Sequence, residues 1–166
     1  MTVLSAQSIR KRAPDIIQPY RPENVQPCSY DVTLGRDFMR YDVFIGRPEK
    51  NGWHSFESSS ITIMPNECIL ATTDEEFDVP ADLELRLCGR SSYGRKFLTV
   101  HQTAGLIDPG FRGRITLEIK NEFCEPITLE AGCRIAQVEF VMLDEPTDTP
   151  YAGRYQGQDT TTESRL

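Results

Sequence analysis

Three short stretches of this chain carry side chains that could do chemistry together. The first is LCGRSSYGR, Leu87 to Arg95, which gathers Arg90, Ser91, Ser92 and Arg95. A strand ending at Gly89 and turning into a short helix would set Ser91 and Arg95, four positions apart, on one helical face. Hydroxyls and free backbone N–H groups at a helix start suit phosphate oxygens, and arginine adds a two-pronged positive charge. The same residues also spell a capped surface turn. The second stretch is HQTAGLIDPGFRG, His101 to Gly113, where Asp108 precedes Pro109-Gly110 and Phe111 follows. An aspartate there either closes an Asx turn or offers a carboxylate beside an aromatic ring. The third is RITLEIKN, which follows directly. Its alternation puts Ile115, Leu117 and Ile119 on one face, and Arg114, Thr116, Glu118 and Lys120 on the other. Glu118 is then either a solvated strand residue or a carboxylate able to move a proton.

These side chains need a rigid support, and short β-like segments supply it. Candidates are Ser29–Leu34, Tyr41–Ile45, Ser60–Met64, Glu67–Thr72, Glu76–Val79 and Leu83–Cys88. Later ones are Leu98–His101, Gly105–Ile107, Ile115–Lys120, Ile127–Leu129 and Arg134–Met142. Many short strands divided by Gly, Pro, Asn and Asp predict an all-β fold, a barrel, jelly roll or sandwich. One short helix is predicted at the N-terminus, Ser5 to Arg12, with Ser5 as N-cap, and another after the GRSS motif. Composition turns polar and rich in Pro and Gly from Leu143. The expected division is a catalytic domain over 1–145 and a mobile tail over 146–166 that orders over a ligand.

Composition narrows the function. The 166 residues carry a net charge of −7, and the basic residues form no block. That argues against a nucleic-acid backbone as partner but permits a small polyanion held by a few arginines. Cys28, Cys68, Cys88, Cys124 and Cys133 are odd in number and contain no CxxC pair, so neither a disulfide framework nor a structural zinc site is expected. No apolar run approaches the roughly 18 residues of a membrane span, and the N-terminus has no apolar segment of signal type. A cytoplasmic location is the default expectation.

The order of motifs carries more. GRSSYGR followed by VHQTAGLIDPGFRGRITLEIKN closely resembles the central signature of dCTP deaminases and related dUTPases. VQPCSYDVTLG (Val25 to Gly35) and LATTDEEFDVPADLELRL (Leu70 to Leu87) resemble the segments before it. AGCRIAQVEF (Ala131 to Phe140) and GRYQGQ (Gly153 to Gln158) resemble those after it. The resemblance implies a distorted β-barrel or jelly roll of the dUTPase-like type. It also implies a homotrimer with active sites between subunits and a deoxycytidine or deoxyuridine triphosphate as substrate. Zinc deaminases work through H-x-E and P-C-x-x-C. Here His54 is followed by Ser-Phe and His101 by Gln-Thr, so the implied deamination uses a carboxylate rather than a metal-bound nucleophile.

By resemblance, Glu118 is the general base and proton shuttle, Ser91 and Arg95 orient it, and the backbone near Ala104 holds the water. Asp108 binds the deoxyribose hydroxyl, and Phe111 either packs near the sugar or is an ordinary core residue. Arg90, Ser91, Ser92 and Gln137 meet the triphosphate, with Tyr151, Arg154 and Gln158 closing from the tail. Mg²⁺ is expected on the phosphate oxygens, without direct protein ligands and without zinc. Deaminases of this kind carry Glu where dUTPases have an apolar residue ten positions after the motif Asp, which weighs against a monofunctional dUTPase. Gly105 after Ala104 resembles members that also cleave dUTP to dUMP and pyrophosphate. A nucleotide-sensing regulator on the same scaffold is the third reading. The tail departs from the pattern: Arg154 stands where Lys is usual, its distance from Tyr151 is short, and DTTTESR replaces a Gly-Pro continuation.

Overall fold

The computed structural model describes residues 2–46 and 52–165. Its strands are β1 (Thr2–Val3), β2 (Ile17–Gln18), β3 (Tyr30–Tyr41), β4 (Trp53–Glu57), β5 (Ser60–Ile63) and β6 (Cys68–Asp78). After these come β7 (Leu83–Gly89), β8 (Leu98–Thr99), β9 (Leu106–Ile107), β10 (Arg112–Asn121), β11 (Ile127–Glu130) and β12 (Arg134–Met142). Two short helices complete the set, α1 (Ala6–Arg12) and α2 (Ser91–Gly94). The main sheet runs β8-β10-β6-β3-β12-β7-β9, with β1, β2 and β4 joining β12, β6 and β3. β5 and β11 form a separate pair. The expected mainly-β barrel-like class is therefore met, and the sheet curls around one core. Among the described residues no helix is long and apolar enough to cross a membrane.

The alternation read in RITLEIKN decides how β10 sits. Ile115, Leu117 and Ile119 are buried against residues such as Phe38, Phe77, Leu85 and Phe140, each worth about 1.5–3 kcal/mol of apolar burial. Arg114, Thr116, Glu118 and Lys120 take the other face, half-exposed. α1 buries Ile9 in the core, and Arg12 in its last turn pairs with Asp82 through 2.8 and 3.0 Å contacts. Ser5 occupies the N-cap position with extended backbone, but its side chain makes no cap hydrogen bond.

Three strand expectations change. Glu67–Thr72 and Glu76–Val79 are one strand, β6, because the polar residues between them are not a turn. Thr73 Oγ1 donates to the Glu75 carbonyl at 2.7 Å, and the Glu75 carboxylate is bound by β3. Tyr41–Ile45 is not a strand: β3 ends at Tyr41 and Asp42–Ile45 form a 3₁₀ turn closed by Gly46 at φ +72°. The buried Asp42 carboxylate accepts the Gly52 N–H at 3.1 Å, a local bond that competes with strand pairing. β4 was not anticipated, since as an outer strand it buries little and shows no clean alternation.

Candidate active site

Glu118 is placed by its strand. Its backbone N–H donates to the Val100 carbonyl at 3.1 Å, which ties β10 to the segment leaving β8. Its Oε2 accepts the Gln102 backbone N–H at 2.8 Å, so the carboxylate is held by the loop that carries Ala104. That loop is pinned in turn: the Gly105 carbonyl accepts the Leu87 N–H at 2.7 Å. A Cβ on Gly105 would lie 2.9 Å from the Leu87 carbonyl oxygen and 3.3 Å from the His101 ring, so glycine is required by close approach.

Asp108 opens a turn whose carbonyl accepts the Phe111 N–H at 3.1 Å, with Gly110 at φ +86°. The turn leaves Phe111 buried at 8% exposure, edge-on to Tyr151 with ring centroids 5.9 Å apart. Phe111 is thus both a core residue and a wall of the site. Asp108, Glu118, Ala104, Phe111, Tyr151 and Gln158 all line one cavity of about 570 Å³.

The tail forms the rest of that wall. Tyr151 N–H donates to the Pro109 carbonyl at 2.8 Å, and Arg114 N–H donates to the Gln158 carbonyl at 2.8 Å. Gly113, at φ +127°, has no room for a side chain where Gln158 passes. Gln158 Nε2 donates to the Arg114 carbonyl at 2.6 Å, while its buried Oε1 has no hydrogen-bond partner among the described residues. Farther along, Thr161 Oγ1 donates to the Asp37 carbonyl at 2.7 Å. Thr162, Glu163 and Ser164 complete the cavity lining.

The other expected site residues lie elsewhere on the chain. Ser91 and Ser92 are exposed on α2, and Arg95, exposed at its end, donates its backbone N–H to the Ser91 carbonyl at 3.0 Å. The expected one-turn spacing is therefore present, but neither Ser91 nor Arg95 lines the cavity. Arg90 Nη1 donates to the Arg134 carbonyl at 2.7 Å, and Nη2 lies 3.3 Å from Asp31. Gln137 Nε2 donates to the Gly89 carbonyl at 3.4 Å. Arg154 is exposed and donates to the Arg165 carbonyl at 2.6 Å. Arg90, Ser92, Gln137 and Arg154 also lie outside the cavity lining. One chain thus presents two surfaces, a carboxylate-bearing cavity and a cationic, hydroxyl-rich face.

Sequence reasoning missed several cavity residues. Gln102 acts through its backbone, which no letter announces. Trp53 and Cys68 arrive from β4 and β6, and only the sheet order places them there. Tyr155 had a signal, since it lies inside GRYQGQ and its hydroxyl accepts the Arg165 N–H at 3.2 Å.

Comparison with known proteins identifies relatives of the whole chain. Residues 3–143 match a family model described as dCTP deaminase-like. A "dCTP deaminase, dUMP-forming" of Methanobrevibacter smithii is 40% identical over 91% of this chain and 86% of its own length. A "dCTP deaminase" of Natronomonas pharaonis is 36% identical over 99% of this chain and 94% of its own. The crystal structure of 2'-deoxycytidine 5'-triphosphate deaminase from Agrobacterium tumefaciens superposes with a TM-score of 0.69 at 23% identity. That likeness covers 84% of this chain and 47% of the larger one, and it shows a shared fold.

Proposed function

This chain belongs to the dCTP deaminase-like family, and from that premise we propose that it deaminates dCTP to dUTP. The observation that carries the proposal is the Glu118 carboxylate, anchored through one oxygen by the Gln102 N–H and lining a cavity with Asp108. Glu118 takes a proton from water as the water oxygen bonds to C4 of the cytosine ring. It passes that proton to the ring nitrogen N3, then takes the second proton from the new C4 hydroxyl and passes it to the amino group; the C4–N bond breaks as the C4 carbonyl forms, and ammonia leaves. Water is consumed and Glu118 returns to its starting state. Asp108 accepts from the deoxyribose hydroxyl, and the aromatic wall of Phe111 and Tyr151 packs the sugar. Ala104 belongs to the loop that holds the water.

The triphosphate needs positive charge, and among the described residues the cavity lining offers none. Arg90, Ser91, Ser92, Arg95 and Gln137 supply suitable groups on the other face of the chain. We therefore read the complete site as formed between copies in a homotrimer, the cationic face of one completing the cavity of the next. Arg154 of the tail, exposed between the cavity-lining Tyr151 and Tyr155, would add a further cation. Mg²⁺ would arrive on the triphosphate and neutralise phosphate charge. A nucleotide-pool enzyme of this kind would act in the cytoplasm.

A coupled second step, cleavage of dUTP to dUMP and pyrophosphate, is favoured by two further observations. The Methanobrevibacter smithii relative is named dUMP-forming, and Gly105 is fixed here by close packing. Incubating purified protein with dCTP and Mg²⁺ and resolving the nucleotides by chromatography tests both readings. dUTP alone establishes the deaminase, while dUMP with pyrophosphate establishes the coupled enzyme. Unchanged dCTP, with or without cleavage of added dUTP, overturns the deaminase reading.

A further inference from the structure

Asp31 is buried in β3, its side chain 2% exposed, yet it meets two arginines rather than one. Arg90 Nη2 lies 3.3 Å and Arg134 Nη1 3.4 Å from the same oxygen, Oδ2. Arg90 also donates to the Arg134 carbonyl at 2.7 Å, so the three residues form a closed unit. The arginines reach it from different elements, the loop before α2 and the start of β12. A buried carboxylate is costly and is satisfied by one well-placed cation. Here two cations share one anion, and among the described residues no second carboxylate pairs with either, which leaves a net positive charge. That excess faces solvent, since the Arg90 and Arg134 side chains are 28% and 44% exposed. The exposed Ser91 and Ser92 lie beside it, and Gln137 stands opposite Asp31 in the β3–β12 register. Two guanidinium forks held at a fixed separation by one buried anchor suit the neighbouring phosphates of a polyphosphate.

We propose that Arg134 is a second phosphate-contacting arginine alongside Arg90, and that Asp31 is the positioning residue that aims both. This rests on the nucleoside-triphosphate reading above.

Removing the Asp31 charge separates aim from simple electrostatics. Without a positioning role, Asp31→Asn would strengthen anion binding by deleting a nearby negative charge. With one, it weakens binding because the forks lose their common anchor. Inorganic tripolyphosphate is the probe, titrated calorimetrically into the full-length protein, with dCTP steady-state kinetics beside it. Arg134→Gln is expected to weaken tripolyphosphate about tenfold and to raise the dCTP KM similarly, with kcat little changed. Arg134→Lys is expected to recover only part of the loss, since an ammonium keeps charge without the fork. Asp31→Asn is expected to weaken tripolyphosphate about tenfold. If it does not fold, Asp31→Glu, which keeps the charge on a longer arm, is expected to show the same weakening. Wild-type affinity in Arg134→Gln overturns the role of Arg134. Equal or tighter binding in Asp31→Asn, or unchanged binding in Asp31→Glu, overturns the positioning role. A wild-type protein that binds tripolyphosphate but leaves dCTP intact sinks the deaminase reading and leaves the arginine pair standing.

Discussion

Glu118 and Glu75 stand on neighbouring strands of one sheet, β10 and β6, and are handled in opposite ways. The Glu75 side chain is wholly buried and accepts from Thr33 N–H at 2.8 Å, Thr33 Oγ1 at 2.8 Å and Arg21 Nη1 at 2.9 Å. Its oxygens are saturated with donors. Glu118 is half-exposed, and among the described residues its carboxylate accepts one hydrogen bond, from Gln102. A carboxylate with every lone pair engaged stabilises a structure, whereas one anchored through a single oxygen keeps capacity for water and substrate. The region around Glu75 is therefore a fastener between β3 and β6, and the region around Glu118 is where chemistry can occur.

The comparison breaks most sharply if the two glutamates are exchanged in importance. Glu118→Gln keeps the shape and an acceptor for the Gln102 N–H but cannot take a proton. Its kcat for dCTP is expected to fall about 10³-fold, with nucleotide affinity and thermal midpoint near wild type. Undiminished turnover would mean that another group shuttles the proton. Ending the chain after Pro150 removes the Tyr151, Gln158 and Thr162 walls of the cavity. This is expected to lower kcat/KM about 10²-fold while the sheet stays folded, since closure excludes water from the reacting groups. Circular dichroism and kinetics on the same sample distinguish a lost wall from a lost fold. Glu75→Ala should act in reverse. It leaves the Thr33 N–H and hydroxyl without their acceptor at a buried position, while Arg21 keeps Asp74, and costs about 1–3 kcal/mol of stability. Turnover per folded molecule is expected to be close to wild type.

The two regions were not equally legible from sequence. Glu118 could be read because a strand's period of two sorts its face within eight residues, and the Asp108 turn is written in consecutive letters. The Glu75 fastener was not legible: it joins residues 42 positions apart, and its polar letters imitate a break between two strands. For the same reason Asp31 gave no sign of its partner Arg134, 103 positions away. Local spacing reveals groups displayed on one element, whereas buried polar pairs emerge only when the sheet order is known. The tail shows both cases. Tyr151 and Gln158 were marked by motif resemblance, but Thr162 and Glu163 enter the cavity through packing alone.

The smallest effect concerns the proton affinity of Glu75, and its sign tests whether burial or pairing governs the fastener. Burial pushes the Glu75 carboxyl above its ordinary value of 4.5, outweighing the Thr33 hydrogen bonds and the Arg21 charge that pull it down. The folded protein then holds this proton more tightly than the unfolded chain does. The stabilising contribution is full below pH 4.5 and is lost as pH rises through the raised value, because the unfolded chain ionises first. Glu75→Gln removes that titration while keeping the size of the side chain. The difference in thermal midpoint, wild type minus Glu75→Gln, is therefore expected to shrink as pH climbs from 4.5 toward neutrality. A difference that instead grows with pH would show that Arg21 and Thr33 outweigh burial. Glu75 would then resemble an ordinary paired surface carboxylate, and its contrast with Glu118 would rest on exposure alone.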